Sequence, residues 1–276
     1  MSDSAISHVV SRGLRYLRYR YIRFQRDDRW HPLRRRRAKW AEKAAHEYFH
    51  AVPSRRQLVE LFAGQVSIGA GWTDYHLLHQ YILKRRPSRI LEFGSGVTSL
   101  VMANALKELY ELSGVEAHLT SVEDIPRFHE HLAQSLPDDL SPFVDLRCVP
   151  KAEVVWRDEI WGFCYEELPA GSFNMVFVDG PTERRGTVDT GLHGPKGACL
   201  DLLFLLSRDS TVEMDVIVDQ KFSSLEAYQS VLPAGSVRYD AVLDVGILSA
   251  VSGRMLSQRR PRQFRRGHAR SMLKLR

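Results

Sequence analysis

The sequence is poor in cysteine and lacks long apolar runs. Its three cysteines, Cys148, Cys164 and Cys199, are odd in number, and no two of them form a C-x-x-C pair. This pattern predicts reduced thiols in a cytoplasmic protein rather than a disulfide or zinc framework. No run of 18 apolar residues occurs, so we expect no helix that crosses a membrane.

Charge is distributed unevenly along the chain. Residues 1–43 hold thirteen basic and four acidic residues, and residues 254–276 hold nine basic residues and no acid. The stretch between them, residues 44–253, holds 17 basic and 29 acidic residues. We therefore divide the 276 residues into a basic extension (1–43), one acidic α/β domain (44–253) and a basic tail (254–276).

The basic extension contains a predicted amphipathic helix over residues 8–26. Its apolar face is formed by Val10, Leu14, Leu17, Tyr21 and Phe24, and six arginines cover the opposite face. This pattern is typical of a helix that lies on an anionic membrane without crossing it. Two alternatives stay open, namely packing of the apolar face on the domain or a second subunit, and an organellar transit peptide.

The segment Arg89–Leu100 predicts a strand, a glycine turn and a helix start. Ile90, Leu91 and Phe93 form a short apolar run, Gly94 and Gly96 follow, and an apolar helical pattern continues to Gly114. We expect Thr98 or Ser99 to cap that helix. Backbone N–H groups converge at such a turn without side chains in the way, so the turn predicts a site for a nucleotide-like ligand.

The motif Glu92-x-Gly94-x-Gly96 narrows the ligand class. The dinucleotide fingerprint G-x-G-x-x-G fails here because its third position is Ser99. The motif instead resembles the first motif of class I S-adenosylmethionine-dependent methyltransferases. That resemblance implies a Rossmann-like, seven-stranded doubly wound α/β sheet over about residues 64–252, with S-adenosylmethionine as the cofactor. The cofactor contacts it implies are Glu92, Gly94, Ser95, Gly96 and Thr98.

Two further strand ends extend the resemblance. A second predicted strand ends at Glu123, where the family places an acid that accepts hydrogen bonds from the ribose hydroxyls. The apolar run Phe173–Val178 ends at Asp179, which matches the fourth-strand acid that faces the transferred methyl group and the cofactor. The resemblance also implies that residues 150–154 lie near the adenine.

Candidates for catalysis and metal binding follow from the same comparison. The catechol O-methyltransferase type binds magnesium through a fourth-strand Asp and an Asp-Asn pair, which Asp179 and Asp219 match, whereas Gln220 replaces the Asn. The Lys that this type places after its fourth-strand Asp is missing, so magnesium at Asp179 and Asp219 stays open. His193, in the glycine-rich loop 182–197, is a candidate base for an oxygen acceptor.

The predicted function is O-methylation of a small-molecule, glycan or lipid-linked acceptor. A nucleic-acid methyltransferase could use the basic ends to hold phosphates, but the body is acidic and no Asn-Pro-Pro-Tyr type motif is present. A catalytically idle partner subunit with the same fold is the second alternative. The sequence does not indicate the acceptor or the oligomeric state.

Overall fold

The computed structural model describes residues 32–62, 71–186 and 191–256. The helices of this part are α1 (Pro32–His50), α2 (Pro53–Phe62), α3 (Trp72–Arg85), α4 (Val97–Ser113), α5 (Pro126–Ser135), α6 (Asp201–Arg208) and α7 (Phe222–Val231). The strands are β1 (Arg89–Phe93), β2 (His118–Glu123), β3 (Val144–Cys148), β4 (Lys151–Trp156), β5 (Ile160–Tyr165), β6 (Met175–Val178), β7 (Ala198–Cys199), β8 (Met214–Asp219), β9 (Val237–Asp240) and β10 (Val245–Val251). The predicted helix at residues 8–26 and the basic tail lie outside the described residues.

Seven of the strands form one sheet in the order β3-β2-β1-β6-β8-β10-β9. The first five are mutually parallel, and β10 runs antiparallel to both β8 and β9. The strand order reverses direction between β1 and β6, and open parallel sheets bind ligands beyond the carboxyl ends of their strands at such a switch point. The predicted seven-stranded doubly wound sheet is confirmed.

Both faces of the sheet are covered by helices, because alternate side chains of each strand point to opposite sides. Leu91, Phe93 and Val178 belong to the core that α6 and α7 cover. Ile90 and Phe177 belong to the second core, which α1 to α5 cover. The parallel strands are therefore apolar on both faces, and the polar residues that remain on them cluster at their carboxyl ends.

The helices before β1 form a connected layer against α4. Helix α1 continues through residue 43, where we placed the end of the extension, and its Phe49 is buried against the domain. The Glu42 carboxylate accepts hydrogen bonds from the N–H groups of Trp72 (2.8 Å) and Thr73 (3.2 Å), the first two residues of α3. Among the residues that the structure describes, no helix is long and apolar enough to span a membrane.

A second, three-stranded sheet in the order β4-β5-β7 was missed from the sequence. The hairpin between β4 and β5 turns at Arg157 and Asp158, whose φ angles are 49° and 59°. Positive φ at two successive turn residues normally requires Asn or Gly, so this turn had little signal in the sequence. Within the segment 150–154, which the resemblance places near the adenine, residues 151–154 pair with β5, and the adenine contact stays a prediction. Cys199 lies in β7, which pairs with β5.

The predicted cap of α4 is also wrong. The helix begins at Val97 with Gly96 as its N-cap, so Thr98 and Ser99 lie in its first turn. The Ser99 Oγ accepts a hydrogen bond from the Gly96 N–H at 3.1 Å, and the Thr98 hydroxyl points to Glu92.

Candidate active site

The glycine turn between β1 and α4 lies at the carboxyl edge of the sheet. A side chain would meet different surroundings at its two glycines, Gly94 and Gly96. Gly94 has a φ of 92°, and a Cβ placed there would lie 2.7 Å from the Gly180 nitrogen and 2.9 Å from the Asp179 carbonyl carbon. Gly94 is therefore required by the close approach of the backbone that follows β6. A Cβ on Gly96 would meet no atom within 4 Å, so its face opens onto free space.

Glu92 is fully buried behind this turn. Its Oε1 accepts a hydrogen bond from the Thr98 hydroxyl at 2.5 Å, and its Oε2 accepts from the hydroxyls of Ser99 (2.5 Å) and Ser121 (2.6 Å). Burial raises the pKa of Glu92 to about 7, against these three hydrogen bonds, which lower it. Three hydroxyls enclose the Glu92 carboxylate, and Thr98 is buried as well, so both side chains hold the turn in place. That Glu92 and Thr98 contact the cofactor stays a prediction.

Glu123 lies at the end of β2 beside the glycine turn, as predicted. Its Oε2 accepts hydrogen bonds from the Ser95 N–H (2.9 Å) and hydroxyl (3.3 Å), and its Oε1 accepts from the Ile125 N–H (2.9 Å). Burial, followed by the charge of Asp124, raises its pKa to about 7. Since a carboxylate offers about four lone-pair sites, one acceptor site remains on Oε1, and a ribose contact stays a prediction.

Asp179 lies at the end of β6 and forms an ion pair that the sequence did not suggest. The Lys221 Nζ is 3.2 Å from the Asp179 Oδ1, and the two side chains keep 19% and 31% of their surface exposed, respectively. Burial raises the pKa of Asp179, and the Lys221 ammonium opposes that shift. Burial alone would lower the pKa of Lys221, but Asp179 and the neighbouring Cys199 and Glu183 raise it above its usual range.

More carboxylates surround this ion pair. Asp219, at the end of β8, and Asp74, in the first turn of α3, are both buried, and the Oδ1 atom of each has no hydrogen-bond partner. Burial and then the charge of Asp179 raise the pKa of Asp219 to about 8, while burial raises that of Asp74 to about 6. This half of the site therefore holds several acids and one lysine, with polar atoms that the protein itself does not satisfy.

The predicted magnesium site does not fit these residues. Magnesium needs near-octahedral oxygen ligands at about 2.0–2.1 Å. Within residues 32–62, 71–186 and 191–256, no three Asp, Glu, His or Cys side chains converge closely enough to hold a metal ion. The Lys221 ammonium also forms an ion pair with Asp179, so its positive charge repels a second cation there. The assignment of Asp179 and Asp219 as metal ligands is therefore not supported.

A second buried ion pair, also missed from the sequence, joins the small sheet to the active-site edge. Lys151, at the start of β4, lies 3.4 Å from the Asp124 carboxylate and hydrogen-bonds the Thr182 hydroxyl, and both charged side chains are buried. These residues are 27 to 58 positions apart along the chain. The pair fixes the small sheet beside the ends of β2 and β6.

His193 lies on the surface of the loop that follows β6. Its N–H pairs with the Arg185 carbonyl at 3.1 Å, and its ring Nδ1 is 3.2 Å from the Gly191 carbonyl oxygen. These contacts hold it on the outer side of the loop, and none of them involves Asp179 or Lys221. A role for His193 as the base stays a prediction. Residues 187–190 of the same loop lie outside the described ranges.

Comparison with known proteins gives structural likeness without close sequence relatives. No family model and no curated protein matches the sequence. The O-methyltransferase TomG from Streptomyces achromogenes, solved with S-adenosylmethionine, is 17% identical; the match covers 79% of this chain and 90% of that chain, with a TM-score of 0.40. A putative O-methyltransferase from Klebsiella pneumoniae is 16% identical over 73% of this chain and 90% of that chain, with a TM-score of 0.41.

An O-methyltransferase from Bacillus cereus, solved with SAH, is 13% identical, with 77% of this chain and 91% of that chain covered and a TM-score of 0.39. All three neighbours are named as O-methyltransferases, one of them as a putative one. At identities and TM-scores this low the likeness does not decide what this chain does, and the resemblance that the Glu92-x-Gly94-x-Gly96 motif suggested stays a prediction.

Proposed function

We propose that the chain is a methyltransferase that uses S-adenosylmethionine to methylate an oxygen atom of a small-molecule, glycan or lipid-linked acceptor. The observation that carries this proposal is the open face of Gly96 beside Glu123, at the carboxyl edge of a doubly wound sheet. A cofactor needs a place where it can touch backbone, and a Cβ on Gly96 would fill that place.

The residues of the β1–β2 half would hold the cofactor. The Ser95 N–H and hydroxyl fix the Glu123 carboxylate beside the turn, so the acceptor site for ribose is oriented before a ligand arrives. The hydrogen bonds between Glu92 and its three hydroxyl donors stabilise the conformation of the turn on its buried side. Such preorganisation lowers the entropy that binding would otherwise cost.

The residues of the β6–β8 half would face the acceptor. Bound S-adenosylmethionine supplies a methyl group on a positively charged sulfonium, and the protein aligns the acceptor oxygen for in-line attack. An oxygen acceptor must also lose a proton. The Oδ2 of Asp179, the oxygen that is not paired with Lys221, is the candidate to take it, because its carboxylate lies at the tip of β6 and is partly exposed.

Methyl transfer from labelled S-adenosylmethionine tests the proposal. Purified protein is incubated with separate extracts of lipids, glycans and small metabolites, and the Asp179→Asn variant serves as the matched negative control. Label should enter one extract with the wild type and fall by about 100-fold or more with the variant, the usual loss when an acid–base group is removed. A protein that binds S-adenosylmethionine but labels no extract would be a catalytically idle partner subunit.

We further propose that the basic N-terminal part rests on an anionic membrane surface. Helix α1 supports this, because Leu33 and Trp40 are 64% and 69% exposed and lie two helical turns apart on one face. Arg36 lies over the Trp40 ring at 5.8 Å, and Arg36 and Arg37 lie one helical turn from Leu33. An exposed tryptophan flanked by cations is typical of residues that sit at a headgroup boundary.

Co-sedimentation with vesicles separates this idea from its alternatives. The Leu33→Ala/Trp40→Ala double variant should bind vesicles of anionic lipid more weakly than the wild type, and binding by both should fall with salt. Leu112→Ala, at a residue 74% exposed on α4, is the matched control and should bind as the wild type does. Equal sedimentation of all three proteins would favour packing of this face against a protein partner.

A further inference from the structure

The ion pair between β6 and α7 leads beyond the proposed function, on which it rests. We propose that the Lys221 ammonium occupies the position that a divalent cation takes in the metal-dependent catechol type. Methyl transfer by this chain then runs without a metal, and Lys221 binds the acceptor oxygen.

The position of Lys221 carries the first step. Asp179 and Asp219 end the adjacent strands β6 and β8, and these are the acids that matched the metal ligands of the catechol type. Lys221 follows Asp219 by two residues and precedes α7, so its side chain starts at the same edge. Its Nζ lies 3.2 Å from the Asp179 Oδ1, which places a positive charge directly on the first of the two acids.

The free donors of Lys221 carry the second step. An ammonium has three N–H groups. Among the described residues, Asp179 alone lies within ion-pair distance of the Nζ, so one donor is used and two remain. The side chain is mostly buried but keeps 19% of its surface exposed, so a ligand can reach it. An acceptor hydroxyl that gives its proton to Asp179 would leave an oxyanion next to this positive charge.

The surrounding acids explain why a cation is needed at this point. The unpartnered Oδ1 of Asp219 lies in the same cluster as Asp179 and Asp74, whose charges act on it. Without Lys221 the buried carboxylates would face one another with no positive charge between them. The catechol type meets the same need with magnesium, whereas this chain has a covalently attached cation that cannot be lost or exchanged.

The test combines the thermal response of the full-length protein to divalent ions with methyl transfer by a Lys221 variant. Wild-type Tm should not change with EDTA, and millimolar Mn²⁺ should not raise it. In Lys221→Ala the acceptor oxygen loses its cationic partner, so methyl transfer to the extract that the wild type labels should fall by about 100-fold, the usual loss when one oxyanion donor is removed, and Mg²⁺ should not restore it. Lys196→Ala is the matched control, since Lys196 pairs with Glu183 at 3.3 Å from an exposed position, and it should transfer methyl as the wild type does.

Three results would overturn the proposal. They are a wild-type Tm raised by Mn²⁺, methyl transfer by the wild type that is abolished by EDTA and restored by Mg²⁺, and a Lys221→Ala variant that folds and transfers methyl as fast as the wild type. If Lys221→Ala does not fold, Lys221→Met is used in its place, because it keeps an apolar side chain of similar length. The wild-type measurements test the proposal independently of either variant. Failure of the proposed function is distinguishable, because it would appear as a wild type that does not bind S-adenosylmethionine in calorimetry.

Discussion

The two halves of the sheet's carboxyl edge differ in how well their polar atoms are satisfied. Around β1 and β2, both oxygens of Glu92 and of Glu123 accept hydrogen bonds from hydroxyls or backbone N–H groups. Around β6 and β8, the Oδ1 of Asp219 has no partner and Asp179 has a single ion pair. In the first half only one acceptor site of Glu123 remains open, whereas the second half keeps buried oxygen atoms without any partner.

The largest effect is expected where the two halves touch. In Gly94→Val the new side chain would collide with the Gly180 backbone and also hold a positive φ. Strain of about 1–3 kcal/mol and overpacking of about 1–3 kcal/mol should together lower the free energy of unfolding, measured by urea denaturation. Gly96→Val, with open space around its Cβ and an extended backbone, should lose about 1 kcal/mol or less. Equal losses in both variants would contradict this distinction.

In the half around β1 and β2, loss of one hydrogen-bond acceptor should lower the stability of the protein. Glu92→Gln places an amide group opposite hydroxyls that now donate to the carboxylate, and it should lower the free energy of unfolding by about 1–3 kcal/mol, the cost of unsatisfied buried groups. Glu116→Gln, an exposed residue beyond α4, is the matched control and should change little. Urea denaturation near pH 7 gives both values.

In the half around β6 and β8, we expect the stability of the protein to depend on pH through Asp219. The pKa of Asp219 is raised from 3.8 to about 8, so between these pH values the folded state holds a proton that the unfolded state has lost. The stabilisation from that proton is full below the lower pKa and is lost as the pH rises through about 8. Asp219→Asn should therefore fold as well as the wild type at pH 6 and lose less stability on raising the pH to about 9. Parallel stability curves for both proteins would show that Asp219 does not carry this proton.

The smallest effect on stability is expected for the residue with the largest effect on activity. Asp179 is partly exposed and makes one ion pair, so Asp179→Asn should change the free energy of unfolding by about 1 kcal/mol or less. Asp138→Asn, on the exposed loop before β3, is the matched control for stability and activity. A collapse of Tm in Asp179→Asn would make Asp179 a structural residue and remove it from the mechanism.

Much of the fold could be predicted because its signals are local. The apolar runs of β1, β2, β6 and β8 and the acids that follow them placed Glu92, Glu123 and Asp179 at one edge of the sheet, where the structure has them. What an acid does at that edge was less visible, because the enclosure of Glu92 depends on Ser121, 29 residues away.

The parts that sequence reasoning missed depend on distant partners. Lys151 gains its role only through Asp124 and Thr182, which other elements bring beside it. Lys221 carried a usable signal, since a basic residue directly follows the Asp219-Gln220 pair that departs from the metal-binding pattern. Its contact with Asp179, however, needs the pairing of β6 with β8, which sequence spacing alone does not give.

Titration calorimetry with S-adenosylmethionine tests the central claim, that the open face of Gly96 is the cofactor site, most directly. The full-length wild type should bind one equivalent, Gly96→Ala should bind more weakly, and Gly96→Val should lose binding by about 100-fold or more while its unfolding free energy stays nearly that of the wild type. The graded loss follows from the size of the side chain that enters the free space at the turn. Unchanged affinity in a folded Gly96→Val, or no binding by the wild type, would contradict the account.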